Sequence, residues 1–255
     1  MTRLYRLADD GRIVHAVMRD GELFEVSGDV FGEYRLDAPI PGGLDRFRLL
    51  APVMPTKIVC VGLNYRDHAA EQGKPLPIEP LLFLKPSTAV IGPGDAIRIP
   101  PGIGRVDHEG EAGLVIGRRA SRVSVSEAAG YVLGVTCVND VTARDIQRRE
   151  NKYTRAKGFD TFAPVGPSVA LGLDPAGLDV ECWVNGERRQ GSSTRQLIFS
   201  AAELVSFISG IMTLLPGDII STGTPAGIGP LAPGDTVMVR VGGVGELRNP
   251  VVGSW

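Results

Sequence analysis

Regular structure is cut short everywhere in this chain, because 33 glycines and 19 prolines divide its 255 residues into brief runs. Proline removes a backbone donor and glycine adds backbone freedom, so both end helices and strands. The runs between them are mostly strand-like: LLFLK at 81–85, EAGLVIG at 111–117, YVLGVTCVND at 131–140, DVECWVNG at 179–186, GDIISTG at 217–223 and DTVMVRV at 235–241. Helices are expected only near 126–130, 142–151 and 200–212. Strands outnumber helices and do not alternate regularly with them, which disfavours a doubly wound α/β fold and predicts a mixed, mainly β (α+β) architecture. With 43% hydrophobic and 22% charged residues, the composition is that of an ordinary globular protein.

Residues 1–53 read as a small N-terminal β domain. Asp10-Gly11 and Asp20-Gly21 separate the runs TRLYRLA, RIVHAVM and ELFEVSG, and Asp-Gly between alternating runs is a strong hairpin signal. This segment carries no cluster of acids, bases or thiols. After a proline-marked joint at Pro52–Pro55, residues 54–255 are expected to form the catalytic domain. There the run KIVCVGL leads to Asn64, read as the N-cap of a short helix YRDHAAEQ, with Asp67 three residues on as in a capping box.

The net charge of -2 gives no general attraction to nucleic acid or anionic lipid. The start lacks a signal-like apolar core, and the most apolar stretch, LVSFISGIMTLLPGDII at 204–220, is interrupted by Gly210 and Pro216. A cytoplasmic protein acting on a small molecule is expected, with no nucleic-acid or membrane partner. Cys60, Cys137 and Cys182 lie far apart in apolar contexts and read as reduced core residues.

The chemistry is concentrated at Asp107-His108-Glu109-Gly110-Glu111. Glu109 and Glu111 at i and i+2 share a strand face, and two like charges side by side ask for a cation. Asp140 adds a third carboxylate at the end of an apolar strand, where a charge needs a partner, a cap or a metal. Three carboxylates without clustered Cys or His form a hard oxygen site that suits Mg²⁺ or Mn²⁺, with Ca²⁺ less suited. On the helix after Asn64, His68 and Glu71 at i and i+3 face one side, so the carboxylate can orient the imidazole. Lys85 follows an apolar run and needs an anion, either a substrate carboxylate or a metal ligand. Arg148, Arg149, Glu150 and Lys152 read as a solvated helix face. His15 and His108 read as structural.

Five ordered motifs, G-L-N-Y-x-x-H-x-x-E at 62–71, F-L-K-P at 83–86, H-E-G-E at 108–111, N-D-V-T-A-R-D at 139–145 and G-T-P-A-G-I-G at 223–229, resemble the fumarylacetoacetate hydrolase family. The resemblance spans about residues 55–250. It is strongest to the short members, which include acylpyruvases, oxaloacetate decarboxylases and the isomerase/decarboxylases of homoprotocatechuate breakdown. It implies the family's β-sandwich roll, a homodimer or an assembly of dimers, and Glu109, Glu111 and Asp140 as ligands of Mg²⁺ or Mn²⁺. It further implies His68 with Glu71 as the proton-handling pair, Lys157 as a catalytic lysine in a glycine-bearing loop, and Lys85, Arg144, Gln147 and Thr224 as substrate contacts. Thr224 would meet the substrate carboxylate by its hydroxyl and neighbouring amides. One departure from the family pattern stands at Gly110 and Ala112-Gly113, where bulkier residues are common, and it predicts a looser strand around the second ligand.

The resemblance therefore implies metal-dependent hydrolysis of a carbon-carbon bond in an acylpyruvate-type 2,4-dioxo acid, with oxaloacetate decarboxylation as a related activity. Two alternatives accompany it. One is a 2-hydroxyhepta-2,4-diene-1,7-dioate isomerase / 5-oxopent-3-ene-1,2,5-tricarboxylate decarboxylase, and the other a non-catalytic metal- or ligand-binding member.

Overall fold

The computed structural model describes residues 1–150 and 152–253. Both Asp-Gly pairs make two-residue hairpins, joining Arg3–Asp9 to Arg12–Arg19 and Arg12–Arg19 to Glu22–Gly28. Asp10 and Gly11 have φ of 44° and 85°, and Asp20 and Gly21 have 52° and 88°, the left-handed pairs that such turns require. The N-terminal strands do not form a sheet of their own. Arg3–Asp9 pairs antiparallel with Ala163–Leu171, so they extend the main sheet.

Among the described residues that sheet has 12 strands. Its central order runs Ala163–Leu171, Val132–Asn139, Gly110–Ile116, Ile219–Ser221, Lys57–Gly62, Leu81–Pro86. All of these neighbours are antiparallel except Ile219–Ser221 with Lys57–Gly62, which run parallel. A five-stranded sheet, ordered Glu187–Ser193, Asp179–Val184, Thr236–Val241, Gly245–Gly253, Ile97–Ile99, packs against one face. A short three-stranded sheet pairs Val106–His108 with Thr142–Ala143 and Gly229–Leu231.

The alternation of side chains along each strand explains the layering. Ala112, Leu114 and Ile116 enter one core with Val180, Cys182, Val239 and Leu247 of the second sheet and with Leu204, Val205 and Ile208 of the Ala201–Ile211 helix. Val115 and Val138 point the other way, into a second core with Ile58, Cys60, Val165 and Ile219. The Gly110–Ile116 strand is thus buried along its whole length on both faces. The three cysteines are free and buried, and burial pushes the thiols of Cys137 and Cys182 up to about 12.

The expected helices fall at Arg144–Glu150 and Ala201–Ile211, the latter closed by a Ser200/Glu203 capping box, while 126–130 holds only a 3-10 turn, Ala128–Tyr131. A further short helix, Tyr153–Lys157, was not expected, because five residues are too few to display a helical period. The helix after Asn64 covers Arg66–Glu71, but Asn64 does not cap it. Its buried amide instead accepts from Phe199 N at 2.8 Å and donates to Thr222 O at 2.7 Å, tying the helix entry to two distant loops. No described helix is long and apolar enough to cross a membrane.

The buried carboxylate of Asp218 fixes the entry to the Lys57–Gly62 strand. It accepts from Thr56 N at 3.0 Å, Thr56 Oγ1 at 2.6 Å and Leu215 N at 2.8 Å, and pairs with the Lys57 ammonium. Burial alone would raise this carboxyl, but the bonds from Lys57, Thr56 and Leu215 and the Lys57 charge hold it below its ordinary value. Its stabilisation is therefore complete above the unfolded carboxylate pKa and is lost as pH falls through the folded one. Asp218→Asn is expected to lower stability by roughly 2–3 kcal/mol at pH 7. In urea unfolding, the gap between wild type and variant should narrow toward pH 3.

Candidate active site

Sheet register alone brings the key side chains to one face. Residues directly opposite on paired strands share a face, as do residues two apart on one strand. Glu111 and Gly113 share a face, Gly113 is opposite Ser221, Ser221 opposite Cys60, and Ile58, two before Cys60, is opposite Lys85. Asp140 follows the strand that pairs with Gly110–Ile116, and its N–H donates to Glu109 O at 2.8 Å. Glu109, Glu111, Asp140, Ser221 and Lys85 therefore converge at the edge of the second core.

Close backbone packing holds this strand. A Cβ on Gly113 would lie 2.6 Å from Val138 Cγ2, and one on Gly110 would lie 3.0 Å from Cys182 Cβ. These glycines let neighbouring layers approach, so the loosening expected around the second ligand is not found: the strand is tight because the side chains are missing.

One oxygen from each of Glu109, Glu111 and Asp140 lies within 4.8 Å of the others, and all three residues are buried. Cations gather on two of them. Lys157 Nζ donates to Glu109 Oε2 at 2.8 Å and Asp140 Oδ2 at 2.5 Å. Lys85 Nζ donates to Asp140 Oδ1 at 2.6 Å and Val141 O at 3.0 Å. Arg144 pairs with Glu109, donates to Asp107 Oδ2 at 2.9 Å and is braced by Gln147 Oε1 at 2.5 Å. Burial would raise the Glu109 carboxyl, yet Lys157 and Arg144 pull it well below its ordinary value. Glu111 differs. It receives only neutral donors among the described residues, Ser221 Oγ at 2.6 Å and Gly223 N at 2.8 Å, and burial with the nearby Asp140 charge pushes its carboxyl up. One carboxylate of the three thus lacks a countercharge, and a hard divalent cation fits that deficit and the all-oxygen donor set.

The three carboxylates line a cavity of about 440 Å³ with His68, Gln72, Arg144, Gln147, Lys157 and Thr224. His68 Nδ1 lies 2.8 Å from Glu71 Oε2, and Glu71 Oε1 accepts from Gly227 N at 3.0 Å. Gln72 Nε2 lies 2.6 Å from His68 Nε2. An amide nitrogen only donates, so Nε2 accepts and the neutral ring carries its proton on Nδ1, toward Glu71.

Two expected substrate contacts are placed differently. Lys85 is fully buried behind Asp140 and does not line the cavity, so it supports a carboxylate. Thr224 lines the cavity, but its hydroxyl donates to Gly110 O at 3.0 Å and accepts from Gln190 Nε2 at 2.7 Å, so it is engaged within the protein. Lys157 belongs to the end of the Tyr153–Lys157 helix and is not in a loop.

The family model for the fumarylacetoacetate (FAA) hydrolase C-terminal region matches residues 57–252. The chain belongs to the fumarylacetoacetate hydrolase family. Within that family it is 41% identical to the crystal structure of 2-hydroxyhepta-2,4-diene-1,7-dioate isomerase from Mycobacterium marinum, with a TM-score of 0.91 over 99% of each chain. The mitochondrial oxaloacetate tautomerase of Bos taurus is 43% identical over 216 residues, 80% of this chain and 69% of the bovine protein. Maleylpyruvate hydrolase from Sphingobium sp. SYK-6, solved with manganese(II) and pyruvate, superposes with a TM-score of 0.82 at 31% identity, over 99% of this chain and all of that one.

Gln72 and Gln190 went unnoticed in the sequence. Gln190 Oε1 accepts from Gly110 N at 2.9 Å and stands 3.1 Å from His108 Nδ1, while its Nε2 donates to Thr224 and to Pro225 O, so one amide joins the ligand strand to the 223–229 loop. A glutamine in a polar run carries no signal of this. Only Gln72, one turn after His68, could have been read as a second partner of the imidazole.

The chain has three histidines, so the tautomer of His68 can be read by ¹⁵N-edited NMR. At pH values where the ring is neutral, the Nδ1–H form should dominate in the wild type. In Glu71→Leu made in a Gln72→Leu background, where no amide donates to Nε2, the Nε2–H form should rise to about half the population or more, since the acceptor that holds the Nδ1 proton is gone. An unchanged tautomer would refute the orienting role of Glu71.

Proposed function

We propose that this protein is a divalent-metal-dependent enzyme that moves a proton on small 2-oxo carboxylic acids, interconverting their keto and enol forms. The observation that carries this reading is one imidazole, set as a base by Glu71, in the same cavity as three carboxylates of which one, Glu111, has no cation paired to it. The names of the tautomerase and isomerase relatives, each above 40% identity, support it.

Glu109, Glu111 and Asp140 would hold a Mg²⁺ or Mn²⁺ ion, which would supply Lewis-acid polarisation of the 2-oxo group. The chain's own residues do the rest. Nε2 of His68 takes the proton from C3, and the Gln72 amide marks the position that this hydrogen occupies. Glu71 balances the imidazolium that results, and the ring returns the proton to oxygen or carbon. Lys157, held between Glu109 and Asp140, keeps positive charge beside the oxygen on which negative charge gathers. The 223–229 loop, whose Thr224 lines the cavity, lies beside the substrate carboxylate. Lys85, Arg144 and Gln147 hold the carboxylates in place.

Hydrolysis of an acylpyruvate is a second reading, favoured by the Glu71–His68 arrangement, which suits the activation of water equally well. It uses the same enolate as the leaving group, and the maleylpyruvate hydrolase likeness supports it.

Keto–enol interconversion of oxaloacetate, followed by ultraviolet absorbance, should require Mg²⁺ or Mn²⁺ and stop with EDTA. His68→Ala should slow it by about 10²–10⁴-fold while the metal still raises the melting temperature. Glu111→Gln should abolish that metal-induced rise. Pyruvate release from acetylpyruvate, absent from enolisation alone, would move the assignment to the hydrolase; unimpaired turnover by His68→Ala would sink both.

A further inference from the structure

A cavity of about 620 Å³ lies apart from the carboxylates and shares no lining residue with theirs. It is lined by the start of the Val132–Asn139 strand, the Ala128–Tyr131 turn, the loop at 172–176, the Thr194–Gln196 turn and the first turn of the Ala201–Ile211 helix. Asp140 follows the other end of that strand, so at about 3.3 Å per residue the two cavities stand roughly 20 Å apart. The volume falls within the range of about 300–1,000 Å³ found for small-molecule sites.

The lining is aliphatic. Ala128, Val132, Leu173, Leu197, Ala202 and Val205 contribute to it, and no aromatic side chain does. A flat aromatic guest would have no ring face to stack on, whereas a methylene chain needs only apolar surface. The wall is also held in place before any ligand arrives. Leu197 makes a β-bridge with Tyr65, and the next two amides, of Ile198 and Phe199, donate to Asn64 O at 2.9 Å and Asn64 Oδ1 at 2.8 Å. A wall fixed in this way lowers the ordering cost of binding.

The polar groups of the lining are engaged, with one exception. Thr194 Oγ1 donates to Pro175 O at 2.7 Å and accepts from Leu178 N at 2.9 Å. Ser200 Oγ belongs to the capping box with Glu203. Asp174, the one acid present, accepts from Ala176 N at 2.9 Å. The exposed guanidinium of Arg195, in contrast, has no ion pair and no side-chain hydrogen bond among the described residues. It lies over Gly177, which has a left-handed φ of 76°; a Cβ there would stand 3.0 Å from Arg195 Nε. An aliphatic chamber with a single unpaired cation at its solvent edge suits an anion that carries an apolar tail.

We infer that this cavity is a second binding site, for a long-chain aliphatic carboxylate. The chain lies among Val132, Leu173, Leu197 and Val205. The carboxylate lies on the Arg195 guanidinium, whose planar fork can donate two parallel N–H bonds to it.

Isothermal titration of the protein in EDTA with dodecanoate, kept below its micelle concentration, tests this without turnover and without a metal to attract the acid. One equivalent should bind, and each two methylenes removed, to decanoate and then octanoate, should weaken binding about tenfold. Arg195→Met, at an exposed position, should weaken dodecanoate binding about tenfold, and Ala202→Trp, which places a large side chain in the chamber, should abolish it. Backbone amide NMR shifts should move at 172–176 and 194–202. No binding, binding unchanged in both variants, or equal affinity for dodecyltrimethylammonium overturns the inference. Shifts confined to 107–111 and 140 would put the acid with the carboxylates and overturn it as well.

Discussion

Three buried carboxylates within 4.8 Å of one another are the constraint around which this structure is arranged. Like charges so close cannot all stay ionised in a poorly solvated place unless cations meet them. Lys85 and Lys157 reach Asp140 from a strand and a helix far apart in sequence, and Arg144 reaches Glu109 from a third element. Each of those elements must be in place before the cluster is tolerable. The site and the fold therefore stabilise each other, and Glu111, which no cation meets, is where the triad could take a metal ion.

Rigidity follows from the same placement. The strand that carries Glu111 is buried on both faces, and its glycines let Val138, Ile219 and Cys182 close on its backbone. A ligand on such a strand has little freedom to adjust, which suits a cation with strict octahedral demands such as Mg²⁺. His68 sits on a helix of six residues whose start is tied to the 199 and 222 segments by Asn64. This imidazole thus rests on a short element, held by long-range hydrogen bonds more than by helical propensity.

Much of this was legible in the sequence, and for identifiable reasons. Asp-Gly turns carry their own backbone signal, so both N-terminal hairpins were expected where they stand, although their continuity with the main sheet depends on a pairing with Ala163–Leu171 that no local pattern encodes. The carboxylates stood out because charge next to an apolar strand demands an explanation. Neutral amides do not stand out, and so Gln72, Gln190 and the clamp made by Asn64 were missed or misread. Lys85 was read correctly as needing an anion, but whether that anion belonged to the substrate or to the protein depended on register. The Ile58–Lys85 pairing settles where its ammonium lies.

The division of cations along the cleft bears on how related sites diverge in reaction. Positive charge that is already spent on internal carboxylates holds geometry, and changing it disturbs the chemistry of every substrate alike. Positive charge left unpaired at the rim costs little stability when exposed and can be lost or moved without disturbing the carboxylate cluster. Lys74 and Arg148, which line the carboxylate cavity, belong to the second kind and Lys157 and Arg144 to the first. The carboxylate cluster can then stay constant while the charge at the rim of the cleft changes, on the same backbone.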